Sequence, residues 1–273
     1  MKIYLFTDLE GATGVVNYDY GDPERRRRDR EFLIGDINAA IASAYDCGAE
    51  SVVVYDGHGK DAVQSDKLDP RATLIRRGRV ESYIPGLDRT FTHFILIGFH
   101  SMAGSGGLLN HTHSRRVRRI ILNRQEIGEI GLSFIYANYY GVKPIFISGD
   151  DKAVEEAKLY LSDIEGAIVK RSISERCGEC FPPEQTFSLI YNGVKKALAK
   201  DKSFHISFPD PPYWMEVIYK NSWVAIPRYL IRSRFNGVTI KNLYTIRYKD
   251  EDFVRLMNKF IGLKINRVKI LYK

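Results

Sequence analysis

A chain of 273 residues with 44% hydrophobic composition can bury a sizeable core, as one large domain or one with a smaller appendage. No apolar run approaches the roughly 20 residues of a membrane span, and MKIYLFTDLEG sets an acidic pair where a signal peptide would still be apolar, so we expect no membrane, no export and a cytoplasmic location. Three cysteines, Cys47, Cys177 and Cys180, argue against a disulfide framework, and the formal charge of +8 has to be judged by its distribution.

In chain order, Lys2–Thr7 reads as a buried strand running into Asp8, Glu10 and Gly11. The turn Gly21-Asp22-Pro23 and the arginine run 25–28 lead into residues 32–45, whose apolar positions recur at helical spacing up to Cys47-Gly48. The mixed-sign charges from Arg25 to Glu31 read as a solvated helix start; a phosphate-binding patch would want interleaved aromatics that the run lacks. Residues 51–55 form a second buried-type strand ending in Asp56-Gly57-His58-Gly59, and residues 73–76 a short third. Residues 94–99 form another, ending at His100 and entering GFHSMAGSGG, whose four glycines mark a loop or a close backbone approach. A hairpin over 117–127, a helix over 129–140 stopped by Gly141, a strand over 144–148 and a helix opened by Asp150-Asp151 follow.

From Ala167 the texture changes. A helix from Pro182-Pro183-Glu184 to Ala199, strands at 204–208, 215–219 and 239–248, and a helix over 250–261 are expected. The alternation predicts an α/β fold, a mostly parallel sheet with helices on both faces, plus a smaller C-terminal α+β part, divided as residues 1–165 and 166–273.

The first hundred residues carry the chemistry. Three apolar strands end in acid or histidine beside glycine, and open α/β sheets bind ligands outside the carboxyl ends of their strands. Asp8 and Glu10 stand two apart, so a persisting strand would put both carboxylates on one side, about 6–7 Å apart. Two such carboxylates repel unless something cationic lies between them. His58 and His100 add imidazoles, and Glu129 in GEIG opens a helix that could approach the same crevice, where it also suits the helix dipole. Three carboxylates and two imidazoles suit zinc or a neighbouring transition metal, and five ligands exceed one tetrahedral site. A two-metal centre follows, with Asp8 as the bridge and a hydroxide held between the ions. His111 and His113 flank Thr112 at the end of the glycine-rich loop, and spacing leaves open which of them faces the site and moves protons there. His93 and His205 stand in no comparable context.

DLEG at 8–11, DGHG at 56–59, PGLD at 85–88 leading to GFHSMAG at 98–104, NHT at 110–112, GEIGL at 128–132 and GDD at 149–151 resemble, in order and spacing, the zinc-dependent D-aminopeptidases associated with dipeptide transport. The likeness continues through VKRSIS, FPPEQ and KKAL and more loosely through IPR and NGVTI. It implies Asp8, Glu10, His58, His100 and Glu129 as ligands of two zinc ions per subunit, His111 as the catalytic histidine, short peptides with an N-terminal D-residue as substrates, and a homo-oligomer, the decamer of two stacked pentameric rings. Nucleic acid and membrane are not expected partners. The chain departs from the family pattern at Ser133, where asparagine is usual, and at Cys177-Gly178-Glu179-Cys180. With no second pair of zinc-type ligands nearby, these two thiols read as ordinary buried or half-buried cysteines. Two rival classes are another di-metal hydrolase, acting on an amide or phosphoester, and a basic nucleic-acid-binding protein with structural metal.

Overall fold

The computed structural model describes residues 1–18, 21–76, 78, 82–200, 206 and 209–263. The first part runs β1 (Lys2–Thr7), α1 (Pro23–Asp46), β2 (Ser51–Asp56), β3 (Thr73–Ile75), β4 (His93–Phe99), the hairpin β5 (Val117–Leu122) and β6 (Gln125–Glu126), α2 (Glu129–Tyr139), β7 (Lys143–Asp150) and α3 (Asp151–Tyr160). The second runs β8 (Glu165–Ser174), β9 (Cys177–Cys180), α4 (Pro183–Ala199), β10 (Tyr213–Tyr219), α5 (Ser222–Arg232), β11 (Val238–Asn242), β12 (Thr245–Asp250) and α6 (Phe253–Ile261).

Alternation along β1 decides the layers. Ile3 and Leu5 face one side, where Ile37 and Ile41 of α1 and Ile190 and Val194 of α4 cover them. Tyr4 and Phe6 face the other side, into a core shared with Phe134 of α2, Val154 of α3 and Met215, Val217 and Tyr248 of a second sheet. The first sheet has the order β3-β2-β1-β4-β7-β8-β9 and is parallel up to β8, with β9 antiparallel at the edge. The second, β11-β12-β10-β5-β6, is antiparallel. From β1 the chain moves to β2 on one side and later to β4 on the other, so a topological switch point lies at β1. There the backbones approach closely. The N–H of Gly11 donates to Gly98 O at 2.8 Å, and a Cβ at Gly11 would stand 1.8 Å from the Phe99 carbonyl oxygen. Gly98 takes φ +73 at an irregularity in β4, which turns the strand end towards the crevice.

α1 starts at Pro23 and takes in the arginine run as the solvated helix start expected of it, because the Asp22 side chain accepts from the N–H groups of Glu24 and Arg25 and proline suits the first turn. Other elements differ from the expectation. The span 239–248 is a hairpin rather than one strand, turned where the N–H of Tyr244 donates to Asn242 Oδ1 at 2.9 Å. The expected strand at 204–208 lies outside the described residues except for Ile206, and His205 lies outside them too. The two sheets do not part at residues 165/166. β8 pairs in parallel with β7, and β9 and α4 join the first layer, whereas the β5–β6 hairpin crosses to the second sheet by pairing with β10. The reason is that β7 would otherwise be an edge, with a row of unpaired backbone groups that β8 satisfies. No helix among the described residues is long and apolar enough to cross a membrane.

Candidate metal centre

The carboxyl ends of β2, β1 and β4 lie side by side, and the segments leaving them meet in one crevice. Asp8 is held at the end of β1 by its N–H, which donates to Ile97 O at 2.8 Å. One carboxylate oxygen, Oδ1, stands 3.2 Å from His58 Nδ1, and the other, Oδ2, stands 3.2 Å from His100 Nε2. Glu10 Oε2 lies 2.9 Å from the same His58 nitrogen, and Glu129 Oε1 lies 3.5 Å from His100 Nε2. Two groups of candidate ligand atoms result, Asp8 with Glu10 and His58, and His100 with His111 and Glu129, each lying within 4.8 Å. Asp8 touches both, one oxygen to each side. β1 ends before Asp8, so these carboxylates converge through a turn rather than through a continuing strand.

The electrostatics favour a cation. Burial opposes charge on His58, but hydrogen bonds to Asp8 and Glu10 outweigh it and raise the imidazole to about 10. Burial likewise opposes charge on His100, and the attraction of Asp8 and Glu129 raises it to about 10. Burial resists ionisation of Asp8 too, yet the two imidazoles beside it, each at 3.2 Å, hold its carboxyl well below the usual range. His100 Nδ1 lies 3.0 Å from Ser101 O, so the ring donates there and turns Nε2 inward. That buried Nε2 makes no hydrogen bond among the described residues although carboxylate oxygens surround it. With its pKa raised in this way the ring carries a proton between the carboxylates; a dication can take that proton's place and balance the cluster of acids, and the mixed nitrogen and oxygen donor set fits zinc.

α2 positions Glu129 at its first turn, with Gly128 as the capping residue. The Oε1 of Glu129 also accepts the N–H of His113 at 2.6 Å, which ties the helix to the histidine segment. His111 and His113 part company here. The ring of His111 stacks on His100, centroids 3.9 Å apart and planes at 15°, whereas exposed His113 takes φ 59 and turns its ring onto Phe260. His111 Nδ1 lies 3.1 Å from Leu109 O and 3.1 Å from the Tyr18 hydroxyl, which also donates to Leu109 O. With Nδ1–H donating to that carbonyl, Nε2 is the nitrogen left to exchange a proton.

Two contributors escaped the sequence reading. Tyr18 steadies His111 from a loop far away in the chain, and no local pattern marks it. Lys170, on β8, is fully buried, and its Nζ donates to the carbonyl oxygens of Glu10 at 2.7 Å, Ala12 at 2.9 Å and Val15 at 2.5 Å. One ammonium thus clamps the turn that carries Glu10. Burial lowers Lys170 to about 8, with Asp150 the largest opposing influence. A lysine inside the apolar run AIVK was the available signal. Lys170→Met leaves three carbonyls without their donor, so we expect a loss of about 3 kcal/mol or more in denaturant unfolding, with weaker metal retention. Unchanged stability and metal content would contradict the clamp.

Other expected features take different places. Asp56 points away from the cluster: its carboxylate accepts from the N–H groups of Gly59 at 2.9 Å and Val63 at 3.3 Å and so shapes the turn that presents His58. Cys177 and Cys180 are exposed on the edge strand β9 rather than buried, because the outermost strand has no layer beyond it. Ser133 is buried on α2, and its hydroxyl has no hydrogen bond among the described residues.

The sequence pattern of a family described as D-aminopeptidase matches residues 1–261. A D-aminopeptidase of Bacillus subtilis (strain 168) is 34% identical over 218 residues, covering 78% of this chain and 79% of that protein. Among solved structures, the Zn-dependent D-aminopeptidase DppA from Bacillus subtilis, described as a self-compartmentalizing protease, superposes with a TM-score of 0.87 at 28% identity, covering 96% of each chain.

Proposed function

Because the chain belongs to the D-aminopeptidase family and is therefore a peptidase, a hydrolase, we propose that it removes the N-terminal residue, a D-amino acid, from short peptides. Two zinc ions per subunit would be held by Asp8, Glu10, His58, His100 and Glu129, with Asp8 shared and His111 as the catalytic histidine. The observation that carries this reading is His100 Nε2, buried and set between the carboxylates of Asp8 and Glu129 without a well-aligned hydrogen bond among the described residues. The zinc dependence of the Bacillus subtilis D-aminopeptidase DppA supports the choice of metal.

Zinc bound here supplies Lewis acidity, which polarises a carbonyl and makes water a nucleophile near neutral pH. The chain's own groups do the rest. The carboxylates of Asp8, Glu10 and Glu129 would hold the centre and offset its charge. Ser101 O fixes the ring of His100, and Asp8 and Glu10 fix that of His58. His111, steadied by Leu109 O and Tyr18, exchanges a proton at Nε2 as the amide bond breaks. A homo-oligomer, the decamer of the family resemblance, suits the exposed apolar face of α5, where Trp223 is 74% and Leu230 67% exposed.

Chelation followed by metal return tests the reading. We expect cleavage of an alanyl dipeptide to favour the D- over the L-enantiomer, to vanish with a zinc chelator and to return with about two equivalents of zinc per chain. Preference for the L-peptide overturns the stereochemistry, and cleavage of an aryl phosphate but no peptide overturns the substrate class.

A further inference from the structure

We propose that the cleft beside His58 is an anion subsite that takes the C-terminal carboxylate of a di- or tripeptide, a proposal that rests on the peptidase reading above. The cleft has a volume of about 250 Å³, and its lining includes Leu9, His58 and Gly59 together with the basic Arg26, Arg30 and Lys60. Leu9 stands between Asp8 and Glu10, and His58 touches both carboxylates, so the cavity adjoins the ligand cluster directly.

Its basic wall is built. Arg26 and Arg30 stand four apart on α1 and therefore share a helix face. Arg30 Nη2 donates to Lys60 O at 2.6 Å, which pins this wall to the turn carrying His58. Arg26 is the other arginine of this wall. Its Nε is buried, and it has no hydrogen-bond partner among the described residues. The neighbouring Arg27 shows what a solvated arginine of this run does: it is exposed and pairs with Glu24 at 3.4 Å and Glu31 at 3.0 Å. A buried guanidinium donor without a partner calls for an anion, and the planar fork of arginine matches a carboxylate.

Geometry selects a short peptide. On the peptidase reading the ligand cluster takes the amino end of a peptide, while the adjoining cleft is basic and draws an anion, so the pair suits a peptide with both ends free. An extended chain advances about 3.3–3.6 Å per residue. A di- or tripeptide with its amino end at the cluster therefore reaches the cleft with its carboxylate, and a long polypeptide carries its carboxylate beyond reach.

The test compares D-alanyl-D-alanine with its C-terminal amide. The unmodified chain is expected to favour the acid by about tenfold or more in kcat/KM, chiefly through KM, as befits a charge-assisted hydrogen bond. In Arg26→Gln the ratio should fall towards one, whereas Arg27→Gln should keep it. Equal handling of acid and amide by the unmodified chain, or an undiminished ratio in Arg26→Gln, overturns the subsite while leaving the peptidase reading intact. Hydrolysis of neither compound counts against the peptidase reading instead. Calorimetric titration of the chelated protein with the same two compounds then decides the subsite without turnover. Tighter binding of the acid, abolished in Arg26→Gln, supports it, and equal binding overturns it.

Discussion

Asp8→Asn is expected to strip the centre of metal and to lower peptide turnover by about 10³-fold or more, well beyond the roughly 10–100-fold that losing an outer hydrogen-bond partner of a ligand costs. The reason lies in its two oxygens. Oδ1 faces His58 and Oδ2 faces His100, each at 3.2 Å, so one side chain serves both halves of the cluster. Asparagine keeps the size but gives up the charge, and its nitrogen would aim a donor at one of the two places where a cation is proposed to sit. Metal analysis of the purified variant should find both ions missing, because no other carboxylate touches both histidines among the described residues. A variant that keeps one ion per chain would show that the two halves are independent and would end the role of Asp8 as a bridge.

His111→Ala carries the second large effect. Turnover should fall by about 10²–10⁴-fold, the range for losing a positioned proton-transfer group, with metal content unchanged. The competing outcome is specific. A nitrogen of His111 lies within 4.8 Å of ligand atoms on His100 and Glu129, so a fall to one ion per chain would place His111 in the ligand set instead. Tyr18→Phe refines the result, since it removes the hydroxyl that steadies His111 without touching any proposed ligand.

Much of the fold is legible in the chain. β1, β2 and β4 are short β-branched and aromatic runs punctuated by glycine, and strands buried on both faces have to look like this. β8 was missed because Lys170 and Arg171 break its apolar run, and α5 because Pro227 stands inside it. The buried position of Lys170 depends on a three-carbonyl turn from the other end of the chain, which no local window contains. The arginine run looked like plain surface for the same reason. Arg27 is that, but Arg26 differs through the cavity beside it rather than through its neighbours in sequence.

The residue types by themselves determined the candidate ligands: carboxylates and imidazoles set beside glycines at strand ends, in a number that exceeds one metal's needs. Only the tertiary structure decided how they are shared. Placing β1 between β2 and β4 brings Asp8 between His58 and His100, and the close approach of Gly11 to the end of β4 keeps it there. It also parted His111 from His113, sending one ring onto His100 and the other onto Phe260. The physical reason is that side-chain identity sets which ions and protons a group can hold, whereas strand order and loop closure, fixed by contacts remote in sequence, set which groups hold the same one.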